Sequence, residues 1–178
     1  MSNKSLIHPY IQRGLMGFLF KDAMYPIAEK LKDEGFLNTK MLPWQDPTRL
    51  KIVKDIIKKY RANNDIKIVL VGHSMGGNAV TYEAKMLEGH GIPVELMIVI
   101  DAPMPIPVAS NVKECINFYQ FNDYRDPKLV TEGNTILTQY NYTGKEDGIG
   151  ILKGDLDHIS IAKNSFLYET LLKKMKAM

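Results

Sequence analysis

A strand-forming run that ends in a glycine-flanked serine constrains this chain more than any other stretch. Residues 68–71 read Ile-Val-Leu-Val, residues 72–76 read Gly-His-Ser-Met-Gly, and a helix-forming segment begins at Met75. The pattern Gly-x-Ser-x-Gly between a strand and a helix is that of a nucleophile elbow, in which a sharp turn lifts the serine hydroxyl clear of the sheet. We expect Ser74 to have a strained backbone and to be a nucleophile.

The residues around Ser74 have roles that follow from the geometry of such a turn. A side chain at Gly72 or Gly76 should clash with the neighbouring strand or helix. The N–H group of Met75 lies at the first position of the helix, where it lacks an intrahelical partner and can hold an oxyanion. The second oxyanion donor is expected in the loop after the first strand, where the N–H group of Leu15 is the preferred candidate.

Strands and helices alternate along the chain, which predicts a parallel sheet with helices on both faces. The predicted strands are 5–11, 36–42, 66–71, 94–100 and 112–121, with short strand pairing at 135–142 inside an irregular stretch over 122–157. The predicted helices are 18–34, 46–61, 75–88 and 159–176. Pro26 predicts a kink or a late start in the first helix. The expected fold is an α/β class, three-layer α/β/α sandwich with a mostly parallel sheet of about six strands.

Composition narrows the class of protein. The chain has 178 residues, 45% hydrophobic and 24% charged, which predicts one globular domain over residues 1–178. We find no apolar run of membrane-spanning length and no signal-peptide pattern at the N-terminus. The single cysteine, Cys115, lies in an apolar run, which favours a buried thiol and a reducing compartment. We therefore expect a cytoplasmic protein without integral membrane association.

A basic stretch over residues 49–61 raises nucleic-acid binding as an alternative. Six Arg and Lys residues interleave there with apolar residues at helical spacing. The solvated face of an amphipathic helix explains this pattern better, and the net charge of +3 is modest. We therefore expect no nucleic-acid partner.

A serine nucleophile needs a general base, and the chain offers four histidines. His73 lies inside the elbow, where we expect it to pack beside the turn. His8 lies in the first strand and His90 in a turn after the elbow helix, where structural roles are the default. His158 ends a long loop and begins the last helix, so it can reach over the edge of the sheet, and it is the expected base.

The base in turn needs a carboxylate that fixes its tautomer and stabilises the imidazolium. Asp101 follows the apolar strand 94–100 directly and is the preferred acid. Four other aspartates are alternatives. Two follow the next strand in the same way. The other two lie so close to His158 in sequence that their carboxylates can reach the Nδ1 side of its ring only with difficulty. These alternatives are Asp123, Asp126, Asp155 and Asp157.

With these residues assembled, the sequence resembles the α/β-hydrolase superfamily, in which the order is nucleophile, acid, histidine, here Ser74, Asp101 and His158. An acid placed after the strand that follows the elbow helix is similar to that of thioesterase-type domains. The strand Asn-Phe-Tyr-Gln at 117–120 and the segment Asp-His-Ile-Ser-Ile at 157–161 resemble compact thioesterase-like hydrolases of bacteria and their phages. The resemblance implies a minimal hydrolase fold without a large lid.

The expected function is hydrolysis of a small-molecule carboxylic ester or thioester through an acyl-enzyme. Met16, Phe18 and Pro103 are the candidates for an apolar acyl pocket. No metal or organic cofactor is expected, because the histidines show no metal-ligand spacing. Two alternatives stay open, namely acyl transfer to another acceptor and a non-catalytic binding protein on the same scaffold. The loop after the first strand favours the non-catalytic binding protein, because it has Arg13-Gly14 where the superfamily commonly has His-Gly.

Overall fold

Strands and helices alternate along the part of the chain that the computed structural model describes, residues 3–14, 24–120, 128–142 and 157–178. The strands are β1 (Ile7–Arg13), β2 (Lys40–Pro43), β3 (Lys67–His73), β4 (Val94–Ile100), β5 (Val112–Tyr119) and β6 (Ile136–Asn141). The helices are α1 (Tyr25–Asp33), α2 (Asp46–Ala62), α3 (Met75–Glu88) and α4 (Ser165–Lys176), with 3₁₀ helices at Asn3–Leu6 and Ser160–Lys163.

The described strands form one sheet in the order β2-β1-β3-β4-β5-β6, and every neighbouring pair is parallel. The predicted α/β architecture with a parallel sheet of about six strands is therefore confirmed. Because all strands run the same way, their carboxyl ends meet at one edge, where ligand sites of such sheets are found. The first residues after β1, β3 and β4, namely Gly14, Ser74 and Asp101, lie at this edge.

The two central strands are buried on both faces, which is why their sequences are almost continuously apolar. Ile68 and Leu70 of β3 belong to the core beneath α2 and α3. Val69 and Val71, which alternate with them, belong to the core beneath α1 and α4. The helices thus cover both faces of the sheet, and the elbow follows a strand that is buried on both faces.

Several element boundaries differ from the predicted ones. The first strand spans Ile7–Arg13 where 5–11 was predicted. The second begins at Lys40 where 36 was predicted, because the N–H group of Thr39 donates to the carbonyl oxygen of Phe36 and closes a turn before the strand.

Helix α1 begins at Tyr25 with Pro26 in its first turn, so the late start is confirmed. The last helix is divided, because the side chain of Asn164 accepts a hydrogen bond from the N–H group of Phe166 at 2.9 Å and starts α4 anew after the 3₁₀ helix. The short pairing predicted at 135–142 is a strand, β6, parallel to β5.

The burial of side chains tests the expectations for the basic stretch and for Cys115. Helix α2 buries Ile52, Val53 and Ile56, so the basic stretch is the amphipathic helix that its spacing predicts. Cys115 is buried, and burial raises the pKa of its thiol. Within the described ranges, no helix combines the length and the apolar character that crossing a bilayer requires.

Candidate active site

The turn after β3 holds Ser74 in a backbone conformation that few non-glycine residues adopt. Its φ is 56° and its ψ is −126°, a strained combination for an L-residue. The N–H group of Ser74 donates to the carbonyl oxygen of Ile100 at 2.8 Å, which ties the turn to the end of β4. Strain of this kind persists only where the surrounding structure fixes it, and here two central strands do so.

Glycines surround Ser74 because other backbone segments approach it closely. An added Cβ on Gly72 would overlap the carbonyl group of Gly76 in α3, and one on Gly76 would overlap the carbonyl oxygen of Gln12 in β1. The predicted clashes are therefore confirmed. A Cβ on Gly14 would lie 2.7 Å from Ser74 Cβ and 3.1 Å from Ser74 Oγ. Gly14, the first residue after β1, thus lies directly against the serine.

The first turn of α3 places backbone N–H groups that have no intrahelical acceptor beside Ser74. Hydrogen bonding to the carbonyl oxygen of Ser74 begins with the N–H groups of Gly77 at 2.8 Å and Asn78 at 3.3 Å. Met75 precedes them as the first residue of the helix, where N–H groups lack an intrahelical acceptor. The other residues predicted for the oxyanion hole and the acyl pocket of the first loop, Leu15, Met16 and Phe18, lie outside the described residues.

Asp101 and His158, 57 positions apart, meet at the carboxyl end of β4. Asp101 has a φ of 43° and is only 1% exposed, and its Oδ2 lies 2.6 Å from His158 Nδ1. The hydroxyl of Tyr142 donates to the same Oδ2 at 2.7 Å. The side chain of His158 is 44% exposed. A buried carboxylate therefore fixes one nitrogen of an imidazole that reaches the surface.

Of the candidate acids within the described residues, Asp101 is the one that contacts the imidazole of His158. Asp157 instead accepts hydrogen bonds from the N–H groups of Ser160 at 2.7 Å and Ile159 at 2.9 Å. These bonds, led by that of Ser160, lower the pKa of Asp157, so its carboxylate serves the local turn. The remaining candidates, Asp123, Asp126 and Asp155, lie outside the described residues.

His73 makes a contact that sequence reasoning missed. It is 6% exposed, and its Nε2 lies 2.6 Å from the backbone carbonyl oxygen of His158. The two imidazole rings lie with their centroids 4.8 Å apart. The sequence predicts packing beside the turn, and the structure adds this hydrogen bond. The available signal was the position of His73 at the end of a central strand, since that end shares an edge with the candidate base.

Tyr142 was also missed as a member of the site. Its N–H group donates to the carbonyl oxygen of Tyr119 at 3.0 Å, which continues the pairing of β6 with β5 beyond the strand. Its side chain is 3% exposed, and this pairing brings its hydroxyl to Asp101. The signal was weak, because the sequence marks 135–142 only as a short pairing of undetermined direction.

The remaining histidines lie away from these contacts. His8 is buried in β1, where burial and the nearby cation of Lys59 lower its pKa. His90 is exposed after α3, at the opposite end of the sheet from the elbow. Across the ranges that the structure describes, no group of three or more His, Cys, Asp or Glu side chains is arranged to hold a metal ion.

The proline-rich loop after β4 is attached to the first turn of α3. The side-chain carbonyl of Asn78 accepts a hydrogen bond from the N–H group of Met104 at 3.1 Å, and a Cβ on Gly77 would lie 2.9 Å from Ala102 Cβ. Pro103 is half-buried between these contacts, whereas Met104 is 66% exposed. An apolar segment is thus fixed about one helical turn from the elbow.

The parallel sheet, its two helical layers and the elbow after β3 define a member of the α/β-hydrolase superfamily. Within it, the chain belongs to the PGAP1-like alpha/beta domain family, whose model matches residues 36–170. The matched range includes Ser74, Asp101 and His158 and ends within α4.

One solved structure shows the same fold at low sequence identity, and a second is similar at a lower score. The thioesterase domain SrfTE, which cyclizes the lipopeptide antibiotic surfactin, is 13% identical with a TM-score of 0.51, over 96% of this chain and 92% of that chain. A protein of the alpha/beta superfamily from Xanthomonas campestris pv. campestris is 14% identical with a TM-score of 0.42, over 93% and 98% of the two chains. A comparison with curated proteins found no match. Family membership supports a hydrolase-type function.

Proposed function

We propose that this protein is a serine hydrolase that cleaves a carboxylic ester or thioester through an acyl-enzyme on Ser74. The observation that carries the proposal is the 2.6 Å contact between Asp101 Oδ2 and His158 Nδ1 beside the strained elbow. A buried carboxylate that holds Nδ1 leaves Nε2 as the nitrogen that exchanges protons. Nucleophile, base and acid also follow in the chain order of the superfamily.

In the proposed reaction, Ser74 Oγ attacks the carbonyl carbon while His158 Nε2 takes its proton. Asp101 orients the imidazole and stabilises the imidazolium that forms. His158 then returns the proton to the departing alcohol or thiol, and the acyl group remains on Ser74. A water molecule deprotonated by His158 attacks the acyl-enzyme, and the carboxylic acid is released as Ser74 is regenerated.

The negative charge on the tetrahedral oxygen needs donors next to the serine. The N–H group of Met75 is one proposed donor, and that of Leu15 is the other, each contributing about 3 kcal/mol of transition-state stabilisation. The close approach of Gly14 to Ser74 Oγ supports the second assignment, because Leu15 is the next residue in the chain. This approach also supports catalysis over mere binding, despite the Arg13-Gly14 departure.

The substrate class follows from the groups near the elbow. Met75, Pro103 and Met104 are apolar, and the hydrogen bond from Met104 N–H to Asn78 keeps the latter two near the serine. We assign them to the acyl side of the substrate, together with Met16 and Phe18. The position of Asp101 after β4 is the feature that favours thioesters, since it resembles the acid of thioesterase-type domains.

A chain-length series tests this function. Hydrolysis of p-nitrophenyl esters and of acyl-CoA thioesters with increasing acyl chains is measured for the unmodified chain, for Ser74→Ala and for Ser110→Ala. Ser110 is a matched control, because it is exposed at the opposite end of the sheet and bonds Glu88. We expect Ser74→Ala to lower kcat by about 10⁶-fold and Ser110→Ala to leave it unchanged.

The same series separates the alternatives. If both serine variants keep the activity of the unmodified chain, Ser74 is not the nucleophile and the proposal is wrong. If the folded chain binds the esters but releases no acid, the binding-protein alternative is correct. Addition of alcohol or amine acceptors distinguishes acyl transfer, which would give acylated acceptor in place of free acid.

A further inference from the structure

His158 is attached to the sheet at two points, one on its side chain and one on its backbone. Asp101 Oδ2 holds the ring at Nδ1, and His73 Nε2 lies 2.6 Å from the backbone carbonyl oxygen. Asp101 follows β4 and His73 ends β3, and these strands are neighbours in the sheet. The two contacts therefore fix both ends of one residue against adjacent strands.

The contact from His73 also specifies a tautomer. A backbone carbonyl oxygen only accepts hydrogen bonds, so His73 Nε2 must carry the proton. The neutral ring with hydrogen on Nε2 and the charged imidazolium both satisfy this condition. The bond to His158 therefore persists whichever of these two forms His73 takes.

Among the described residues, the side-chain hydrogen bonds of Asp157 and Ser160 beside His158 stay within this short segment. The carboxylate of Asp157 accepts from the N–H groups of Ile159 and Ser160, and the N–H group of Asp157 donates to Ser160 Oγ at 2.7 Å. These bonds shape the turn without tying it to the strands. Ile161 anchors the following 3₁₀ helix in the core, but it lies three positions after His158 in the chain.

We propose that His73 is a positioning residue that holds the backbone of the general base over the elbow. This inference rests on the proposed function and adds a role for the residue directly before the nucleophile. Asp101 sets the rotation of the imidazole, while His73 sets the height of its Cα above the edge of the sheet. Because one strand end carries both His73 and Ser74, the distance between nucleophile and base is fixed by a single rigid element.

Two substitutions of His73 test the role. His73→Leu removes the donor and fills part of the space. His73→Gln keeps an amide N–H at the position of Nε2. We expect His73→Leu to lower kcat by about 10²-fold, the effect of a displacement near 1 Å, with KM unchanged. The rate of Ser74 labelling by a fluorophosphonate should fall in parallel, and His73→Gln should restore most of both rates.

The outcomes separate this inference from the proposed function. Without Ser74 labelling in the unmodified chain, the proposed function is wrong and His73 has no base to position. If the unmodified chain is labelled and a folded His73→Leu variant is labelled equally fast, only the role of His73 is wrong. It is also wrong if His73→Gln is as impaired as His73→Leu.

A measurement on the unmodified chain covers the case in which His73→Leu does not fold. Nitrogen-15 NMR of the imidazole groups reports which ring nitrogen carries hydrogen. We expect the neutral His73 ring to carry its proton on Nε2, with slow exchange of that proton because the side chain is buried. A neutral His73 ring with hydrogen on Nδ1 would contradict the bond to His158 and overturn the inference.

Discussion

Two regions of the described structure bury a carboxyl group, and the two groups have different partners. Asp101, at the end of β4, is 1% exposed and contacts the imidazole of His158. Glu83, on α3, is 0% exposed and accepts a hydrogen bond from the side-chain amide of Gln12 in β1. Burial raises the pKa of Glu83 well above its usual 4.5, although the bond from Gln12 and the charge of Arg49 oppose the shift.

The comparison teaches that the partner, more than the degree of burial, decides what a buried carboxyl group can do. Asp101 faces an imidazole that gains a proton in the proposed reaction, so its negative charge is useful at that moment. Glu83 faces a neutral amide, so burial favours its uncharged form. Glu83 and Gln12 join α3 to β1, the strand that leads to Gly14, and their role is structural.

The largest expected difference between the two regions is in catalysis. Asp101→Asn keeps the size of the side chain but removes the charge that holds His158 in the required tautomer, and we expect kcat to fall by about 10⁴-fold. Glu83→Gln makes the same chemical change and should leave kcat near that of the unmodified chain. Ester hydrolysis by the two purified variants measures both effects.

Asp157→Asn is the control for position in sequence, because Asp157 precedes the base but serves the local turn. An asparagine still accepts the turn's hydrogen bonds, so activity should be retained. If Asp157→Asn lost as much activity as Asp101→Asn, the comparison would fail. Any carboxylate near His158 would then be enough to support catalysis, whether or not it contacts the imidazole.

Removal of the Tyr142 hydroxyl should have an intermediate effect. Tyr142→Phe takes one donor from the buried Asp101, which we expect to cost about 2 kcal/mol of unfolding free energy and to lower kcat about tenfold, equivalent to about 1.4 kcal/mol. Denaturant unfolding and steady-state kinetics measure the two effects. Tyr140→Phe is the matched control, because the Tyr140 ring stacks on Phe118 at 5.2 Å and packing there does not need the hydroxyl.

If Tyr140→Phe and Tyr142→Phe lose the same stability and activity, the bond to Asp101 has no special role. A loss confined to Tyr142→Phe would sharpen the comparison, since it would show that Asp101 depends on more than His158.

The smallest effect concerns the pH dependence of stability at Glu83. Its pKa is raised in the folded state, so protonated Glu83 stabilises the fold fully below its unfolded pKa near 4.5, and this contribution is lost as pH rises toward the folded pKa. The unfolding free energy of the unmodified chain should therefore fall with pH above about 4.5 more steeply than that of Glu83→Gln.

Urea unfolding between pH 4 and pH 9 compares these slopes, with Glu169→Gln at an exposed position of α4 as the control. If the unfolding free energies of the unmodified chain and of Glu83→Gln changed with pH in parallel, Glu83 would have the same pKa in the folded and unfolded states. The contrast with Asp101 would then fail.

Much of the fold was predictable because local sequence and packing agree. The bounds of β4 at 94–100 and of α3 at 75–88 match the predictions, since apolar runs and glycine breaks mark both. The strand β6 was less predictable, because its residues are only partly buried and its parallel partner lies far from any local turn signal. The division of the last helix at Asn164 was not predicted, because the pattern of buried residues continues across it.

The candidate site residues and their order along the chain could be predicted from the sequence, but some of the contacts between them could not. Ser74 is marked by its neighbours, and Asp101 by its place after a buried strand, so both could be ranked from sequence. The contacts of His73 and Tyr142 depend on how strand ends align across the sheet, which periodicity does not encode. The carbonyl group that His73 reaches is also a backbone atom, and no residue type signals such an acceptor.

Covalent labelling tests the central claim, that Ser74 is a nucleophile activated by His158 and Asp101. The folded chain is treated with a fluorophosphonate, digested and mapped by mass spectrometry, in parallel with Ser74→Ala and Asp101→Asn. We expect one phosphonyl group per chain on the peptide that contains Ser74, no labelling of Ser74→Ala, and much slower labelling of Asp101→Asn. An unlabelled folded chain, or equal labelling when Ser74 is replaced, would contradict the account.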